Sequence, residues 1–181
     1  NDRQNWFYQK FSDEELDPLS RVGTSGGLEE TLVSFLSRQL DRLRLEEGEA
    51  RLVRYLIYCL DDDGYLRTPL AELSRHGAIP LPRLEGALAI LKTMEPAGVG
   101  AAELSECLAL QLERIGETGS ALVIVQDHLE TLAKHHDRAI AAKLNITPAQ
   151  VEEARRTIRE LDPRPGAVFQ RTEQVFYIQP I

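Results

Sequence analysis

Several groups of residues in this chain have the types that do chemistry, and spacing decides between the readings. Asp61-Asp62-Asp63-Gly64 invites a calcium reading. An EF-hand loop needs ligands at positions 1, 3 and 5, glycine at 6 and glutamate at 12. Counted from Asp61, the fifth and sixth positions are Tyr65 and Leu66, so the pattern fails. Gly98-Val99-Gly100-Ala101-Ala102-Glu103 resembles half of a dinucleotide fingerprint. No strand precedes it, however, and Glu103 stands where a third glycine belongs, setting a negative charge against phosphate. His128, His135 and His136, with Asp127 and Asp137, are metal-ligand types at poor spacing: the adjacent histidines point to different faces of a helix, and no HxxxH pair exists. They read as solvated surface histidines. Cys59 and Cys107 sit far apart in apolar helical patterns and read as reduced core thiols. With no Walker loop and no GxSxG elbow, the sequence assigns no catalytic residue, cofactor or metal. The work of such a chain is done by its surfaces.

The elements that position these residues are helical. Leu28, Leu32, Phe35, Leu36, Leu40 and Leu43 mark one apolar face. Glu46 to Leu60 predicts a second helix with Leu52, Tyr55, Leu56, Cys59 and Leu60 inward, broken at Asp61-Asp62-Asp63-Gly64-Tyr65-Leu66. Three carboxylates at that helix end oppose its macrodipole, so solvation or a cationic partner must offset them. Thr68-Pro69 and Leu81-Pro82 read as helix starts, the latter helix running to Met94. Further helices are expected over Ala101–Ile115, from a Ser120 cap to about Leu132, over Asp137–Leu144, and from Thr147-Pro148 to Leu161. Val175-Phe176-Tyr177-Ile178 looks extended. The expected fold class is all-α, in two small helical subdomains, the second containing a helix-turn-helix-like motif.

A punctuation mark appears twice. Met94-Glu95-Pro96-Ala97-Gly98-Val99-Gly100 ends one helical stretch, and Leu161-Asp162-Pro163-Arg164-Pro165-Gly166 ends another. Proline stops each helix and glycine permits the turn. From Glu95 to Asp162 the offset is 67, and at the same offset Ile79, Leu84, Glu85, Ala87 and Leu91 fall opposite Ile146, Val151, Glu152, Ala154 and Ile158. Two versions of one small helical unit are implied. In the second, Ile140, Leu144, Ile146, Val151 and Ile158 are spaced as the core of a helix-turn-helix. A recognition helix leads with polar and basic residues; here Gln150, Glu152 and Glu153 come first, with Arg155 and Arg156 behind. A scaffold use is favoured over base reading, with direct contact to duplex DNA as the alternative.

Composition agrees with a binding module. The 181 residues carry a net charge of -8, with 43% hydrophobic and 28% charged residues. That is ordinary for a globular protein and leaves no overall basic footprint for nucleic acid. With no signal peptide and no run near the ~18 apolar residues of a membrane span, the expected location is the cytoplasm, without membrane partners or a small-molecule substrate. Residues 1–27 read as an acidic linker, in which Trp6, Phe7, Tyr8 and Phe11 are either a short docking motif or a packed-down tail. The ends of the chain read as those of a piece cut from a longer protein.

Three stretches together resemble the core-binding region of the bacterial sigma-54 class of RNA polymerase sigma factors: Tyr58 through Leu66, Leu91 through Leu112, and Leu161 through Gly166. Tyr177-Ile178-Gln179-Pro180 is also similar, although Ile181 replaces the acidic residue that follows in the family. The resemblance covers about residues 28 to 181. It implies a two-subdomain helical module that anchors the factor to core RNA polymerase. Promoter DNA of the -24/-12 type and an ATP-hydrolysing (AAA+) activator are implied as partners of the full-length protein. Contacts to polymerase are implied at Asp61, Asp62, Asp63, Gly64, Tyr65 and Leu66, in a first subdomain of residues 28–78. Glu95, Pro96, Gly98, Val99 and Gly100, and Asp162, Pro163, Arg164, Pro165 and Gly166, are expected to be structural hinges. The second subdomain is expected over 79–166 and an extended segment over 167–181.

Overall fold

The structure, a computed structural model, describes residues 30–170. The acidic linker, its aromatic residues, Leu28 and the expected extended stretch at 175–178 lie outside the described residues.

Helix α1 (Leu32–Arg42) starts where Thr31 accepts from the Ser34 amide at 3.1 Å, while Ser34 Oγ accepts from the Thr31 amide at 3.0 Å. This reciprocal box satisfies two of the donors that a helix N-terminus leaves open. Leu32, Leu36 and Leu40 are buried at successive turns, whereas Leu43 forms the C-cap and is exposed. Helix α2 (Glu47–Cys59) buries Val53, Leu56 and Ile57; Leu52, Tyr55, Cys59 and Leu60, expected to lead its inner face, are only partly buried. Helix α3 (Leu70–Gly77) begins after Pro69 without a side-chain cap, one residue beyond the expected Thr68 start. Helix α4 (Leu81–Lys92) follows, and α5 (Leu104–Arg114) starts three residues later than expected. The predicted helix from Ser120 to about Leu132 is two helices: α6 (Ser120–Asp127), with Gly119 rather than Ser120 at the N-cap, and α7 (Leu129–Ala133). His128, at φ -131°, breaks them apart. Helices α8 (Asp137–Leu144) and α9 (Pro148–Arg159) complete the set, and Ala167–Phe169 forms a 3-10 turn where extended chain was expected. No strand occurs among the described residues.

Helices α3 and α4 recur as α8 and α9 with every boundary displaced by 67 residues, which confirms and sharpens the repeat read from sequence. Each first helix ends on a left-handed residue, Ala78 at φ 51° and Asn145 at φ 54°. Asparagine accepts that conformation readily, but alanine does so at a cost of roughly 1–2 kcal/mol. Ser74 holds the alanine turn from both sides: its carbonyl accepts from the Ile79 amide and its hydroxyl donates to the Ile79 carbonyl at 2.6 Å. Leu84, Ala87 and Leu91 are buried, as are their counterparts Val151, Ala154 and Ile158.

The apolar core divides after Val99. The first cluster draws buried residues from α1, α2, α3 and α4 and ends with Met94 and Val99, so α4 belongs with the first half and not, as the expected boundary at residue 78 had it, with the second. The second cluster runs from Leu104 to Ile158. Both have one plan: α1 packs on α2, α2 on α4 and α3 on α4, as α5 packs on α6, α6 on α9 and α8 on α9, with α7 as an addition in the second.

Candidate functional site

The three stretches singled out in the sequence meet in one place. After α2, the chain turns at Asp61, whose Oδ1 accepts from the amides of Asp63 (3.0 Å) and Tyr65 (2.9 Å). Its Oδ2 accepts from Arg67 Nε at 3.1 Å, and the Arg67 guanidinium lies 4.3 Å from the centroid of the Tyr65 ring. Asp61 is thus the internal ligand of its own turn, and the neighbouring guanidinium compensates its charge. Gly64 completes the turn at φ +94°, a conformation that side chains resist.

Two other segments dock on this turn. The Gly100 amide donates to the Gly64 carbonyl, and the Leu66 amide to the Ala101 carbonyl, both at 2.9 Å. From the far end of the second cluster, the Gly166 amide donates to the Asp63 carbonyl at 2.9 Å and Pro163 accepts from the Tyr65 hydroxyl at 2.7 Å. A Cβ on Gly166 would stand 2.5 Å from the Asp62 carbonyl oxygen, so only glycine permits this approach. Beyond it, Phe169 packs on Phe35 of α1 with ring centroids 5.2 Å apart, and Gln170 Nε2 reaches Asp63 Oδ1 at 3.3 Å. The second cluster therefore leaves from and returns to the same turn of the first.

The expected residues take distinct places. Gly64, Tyr65 and Leu66 are buried, Asp61 and Asp63 are half-buried, and Asp62 is exposed. Gly98, Val99 and Gly100 are buried beneath the turn, as are Pro165 and Gly166; Pro96 and Pro163 are half-buried, while Glu95, Asp162 and Arg164 are exposed. Glu95 carries one inter-cluster link, from Arg114 Nη1 at 2.5 Å, and the same guanidinium donates to the Lys92 carbonyl at 3.2 Å. Lys92 pairs with Glu106 across the same junction.

Sequence reasoning missed the residues that hold the two marks. Gln111 is buried; its Nε2 donates to the Asp162 carbonyl at 2.6 Å and its Oε1 accepts from the Asp162 amide at 2.7 Å. A glutamine one turn after Cys107, on the apolar stripe of α5, was the available signal. Gln39 does the same to Glu95, through bonds of 2.5 and 2.9 Å. Beside Gln111, burial above all pushes the Cys107 thiol up to about 11, which keeps it protonated and unreactive near neutrality. Burial also raises Cys59. A correction concerns Arg155, expected on the exposed leading face of α9. It is 1% exposed, donates from Nη1 to the Leu132 carbonyl at 3.0 Å and from Nε to Glu152 at 3.2 Å, and pairs with Asp137.

Among the described residues no group of three or more His, Cys, Asp or Glu side chains could hold a metal ion, and no helix is long and apolar enough to cross a membrane. The fold and the junction define a class: an all-helical module of two clusters built on one plan, locked at a shared turn that presents an acidic edge. The family described as sigma-54 factor, core binding domain, matches residues 25–180, and the chain belongs to it. It is 33% identical to the RNA polymerase sigma-54 factor of Bacillus subtilis over 84% of this chain and 35% of the relative. With the sigma-54 factor of Xanthomonas euvesicatoria it shares 36% identity over 93% of this chain and 36% of the relative. The Escherichia coli factor is 28% identical over 86% of this chain and 34% of its own length. The chain thus spans about a third of the length of the curated relatives it matches.

Proposed function

We propose that this chain is a non-catalytic module that binds core RNA polymerase, acting in the cytoplasm as the anchoring part of a longer sigma-54-type initiation factor. The observation that carries this reading is the convergence of residues 61–66, 98–101 and 162–166 on one hydrogen-bonded junction, because these are the stretches that bear the family likeness. A turn held from three sides is preorganised, so docking on it loses little conformational entropy. Asp62, exposed at its tip, and Asp63 beside it are the contact carboxylates, while Asp61, Gly64, Tyr65 and Leu66 shape the turn from within. The two glycine-bearing marks are the joints between the clusters. Promoter DNA and an AAA+ activator are partners of the full-length factor.

Co-migration with core RNA polymerase in size exclusion, at micromolar protein and low salt, tests the proposal; separate elution under those conditions overturns it. Reversing the exposed charge, Asp62→Lys, is expected to slow association and weaken its salt dependence, since such charges act mainly on the encounter rate. Direct DNA reading by α9 is not favoured: Arg155 is turned into the core, and Glu153 shares the exposed face with Gln150.

A further inference from the structure

Six large hydrophobic side chains are exposed among the described residues: Leu43, Tyr58, Leu81, Ile115, Val123 and Val168. Single exposed apolar residues need no explanation. Two of the three most exposed, however, lie in segments that build or adjoin the acidic turn. Tyr58, 66% exposed, is in the last turn of α2, four residues before Asp62. Val168, 60% exposed, is the middle residue of the 3-10 turn that returns from the second cluster.

The placement of Val168 is tightly fixed. Two residues before it, the Gly166 amide is bonded to Asp63, and any side chain at 166 would strike the Asp62 carbonyl. Phe169, the next residue, is anchored on Phe35, and Gln170 holds the Asp63 carboxylate. Val168 is thus presented to solvent between Gly166 and Gln170, which are themselves tied to Asp63 of the turn whose Asp62 is exposed. An apolar residue on a rigid base within a charged rim is the arrangement by which protein interfaces obtain slow dissociation.

We propose that the surface this module offers to core RNA polymerase is composite: Asp62 and Asp63 from the first cluster, flanked by Tyr58, and Val168 from the segment that returns from the second. The proposal rests on the polymerase-binding reading and extends it to residues contributed from beyond the second cluster. The complementary patch on polymerase is basic, with an apolar seat that receives Val168. Continuity selects this occupant, because Val168 and the acidic turn form one hydrogen-bonded structure and a partner that covers Asp62 must come close to Val168.

The test compares Val168→Glu, Tyr58→Ala, Asp62→Lys and Ile115→Ser in the whole chain, measuring affinity and rates for core RNA polymerase alongside thermal melting. Ile115 is 65% exposed at the end of α5 and serves as the control for a lost surface hydrophobe. Val168→Glu is expected to weaken binding at least tenfold, mainly through faster dissociation and with an unchanged melting temperature. Tyr58→Ala should weaken it less, Asp62→Lys should act on association, and Ile115→Ser should bind as wild type. If Val168→Glu binds as wild type while Asp62→Lys is impaired, the composite surface is wrong and the acidic turn stands. If Val168→Glu and Ile115→Ser weaken binding equally, the effect is not local and the proposal also fails. Wild-type chain that does not bind polymerase removes both this proposal and the reading beneath it.

Discussion

Gln111 grips Asp162 by both of its backbone polar groups, and Gln39 grips Glu95 in the same way. The gripped residues are 67 positions apart but the glutamines are 72 apart, so the second clamp closes 51 residues where the first closes 56. The five residues are lost from α6, which has 8 residues where α2 has 13. In both clusters the amide does what no apolar side chain can: it satisfies a backbone N–H and C=O where a helix has ended and the chain turns sharply.

The two clamps predict unequal losses. Gln111 is 7% exposed, so Gln111→Leu takes both side-chain bonds from the Asp162 backbone, leaving its carbonyl with the 3.9 Å contact of the Cys107 thiol, at roughly 1–3 kcal/mol in all. Gln39 is half-buried and water can replace it, so Gln39→Leu should cost about 1 kcal/mol or less. Urea denaturation of the two variants gives the comparison, and equal midpoints would refute this account of the clamps.

Tyr65→Phe removes one hydroxyl from a residue that is 1% exposed and leaves the Pro163 carbonyl without this donor. The expected loss is about 1–2 kcal/mol. Its distribution is the sharper test: hydrogen exchange should quicken at Gly166 and at Gly100, the amides that dock on the turn, more than in α8. Uniform exchange would show that the junction does not act as a unit.

The helical class, the two marks and the 67-residue repeat were legible because each is written in local signals: proline and glycine at the stops, and apolar residues at helical spacing. The junction was not. Nothing in Asp61-Asp62-Asp63 separates the carboxylate that folds back on its own turn from the one left in water, since that depends on Arg67 and on Gly166, a hundred residues away. The division after Val99 was missed for a similar reason. Helix α4 matches α9 in sequence, but a repeat shows where units are alike and not where their cores separate. Arg155 deceived the pattern because arginine normally marks a solvated face.

Cys107 predicts a pH dependence. Its thiol ordinarily titrates near 9.0 and is pushed up to about 11 in the fold. Between those values the native state keeps a proton that the unfolded chain has lost, so stability is fully present below pH 9 and falls as pH rises towards 11, by up to about 3 kcal/mol. Other groups titrate there as well, so the measurement is the difference between wild type and Cys107→Ala in denaturation midpoint across that range. The wild type should lose its advantage as pH rises, and a constant difference would contradict the burial account.

Arg155 joins three elements: its guanidinium meets the Leu132 carbonyl at the end of α7, Asp137 at the start of α8 and Glu152 on its own helix. Breaking a buried ion pair by removing one partner typically costs 3–5 kcal/mol, whereas replacing it by well-packed apolar groups is often neutral. Arg155→Ala should therefore be among the most destabilising single changes in the second cluster. Arg155→Lys should recover little, because an ammonium cannot reach all three acceptors with one planar fork. The decisive variant is Arg155→Met combined with Asp137→Ala, which removes the buried charge and its half-buried partner together. If the arginine contributes mainly by satisfying Asp137, the double variant should be more stable than Arg155→Ala alone. If instead it matters as the donor to the Leu132 carbonyl, the double variant should be no better, and hydrogen exchange should localise the damage to α7.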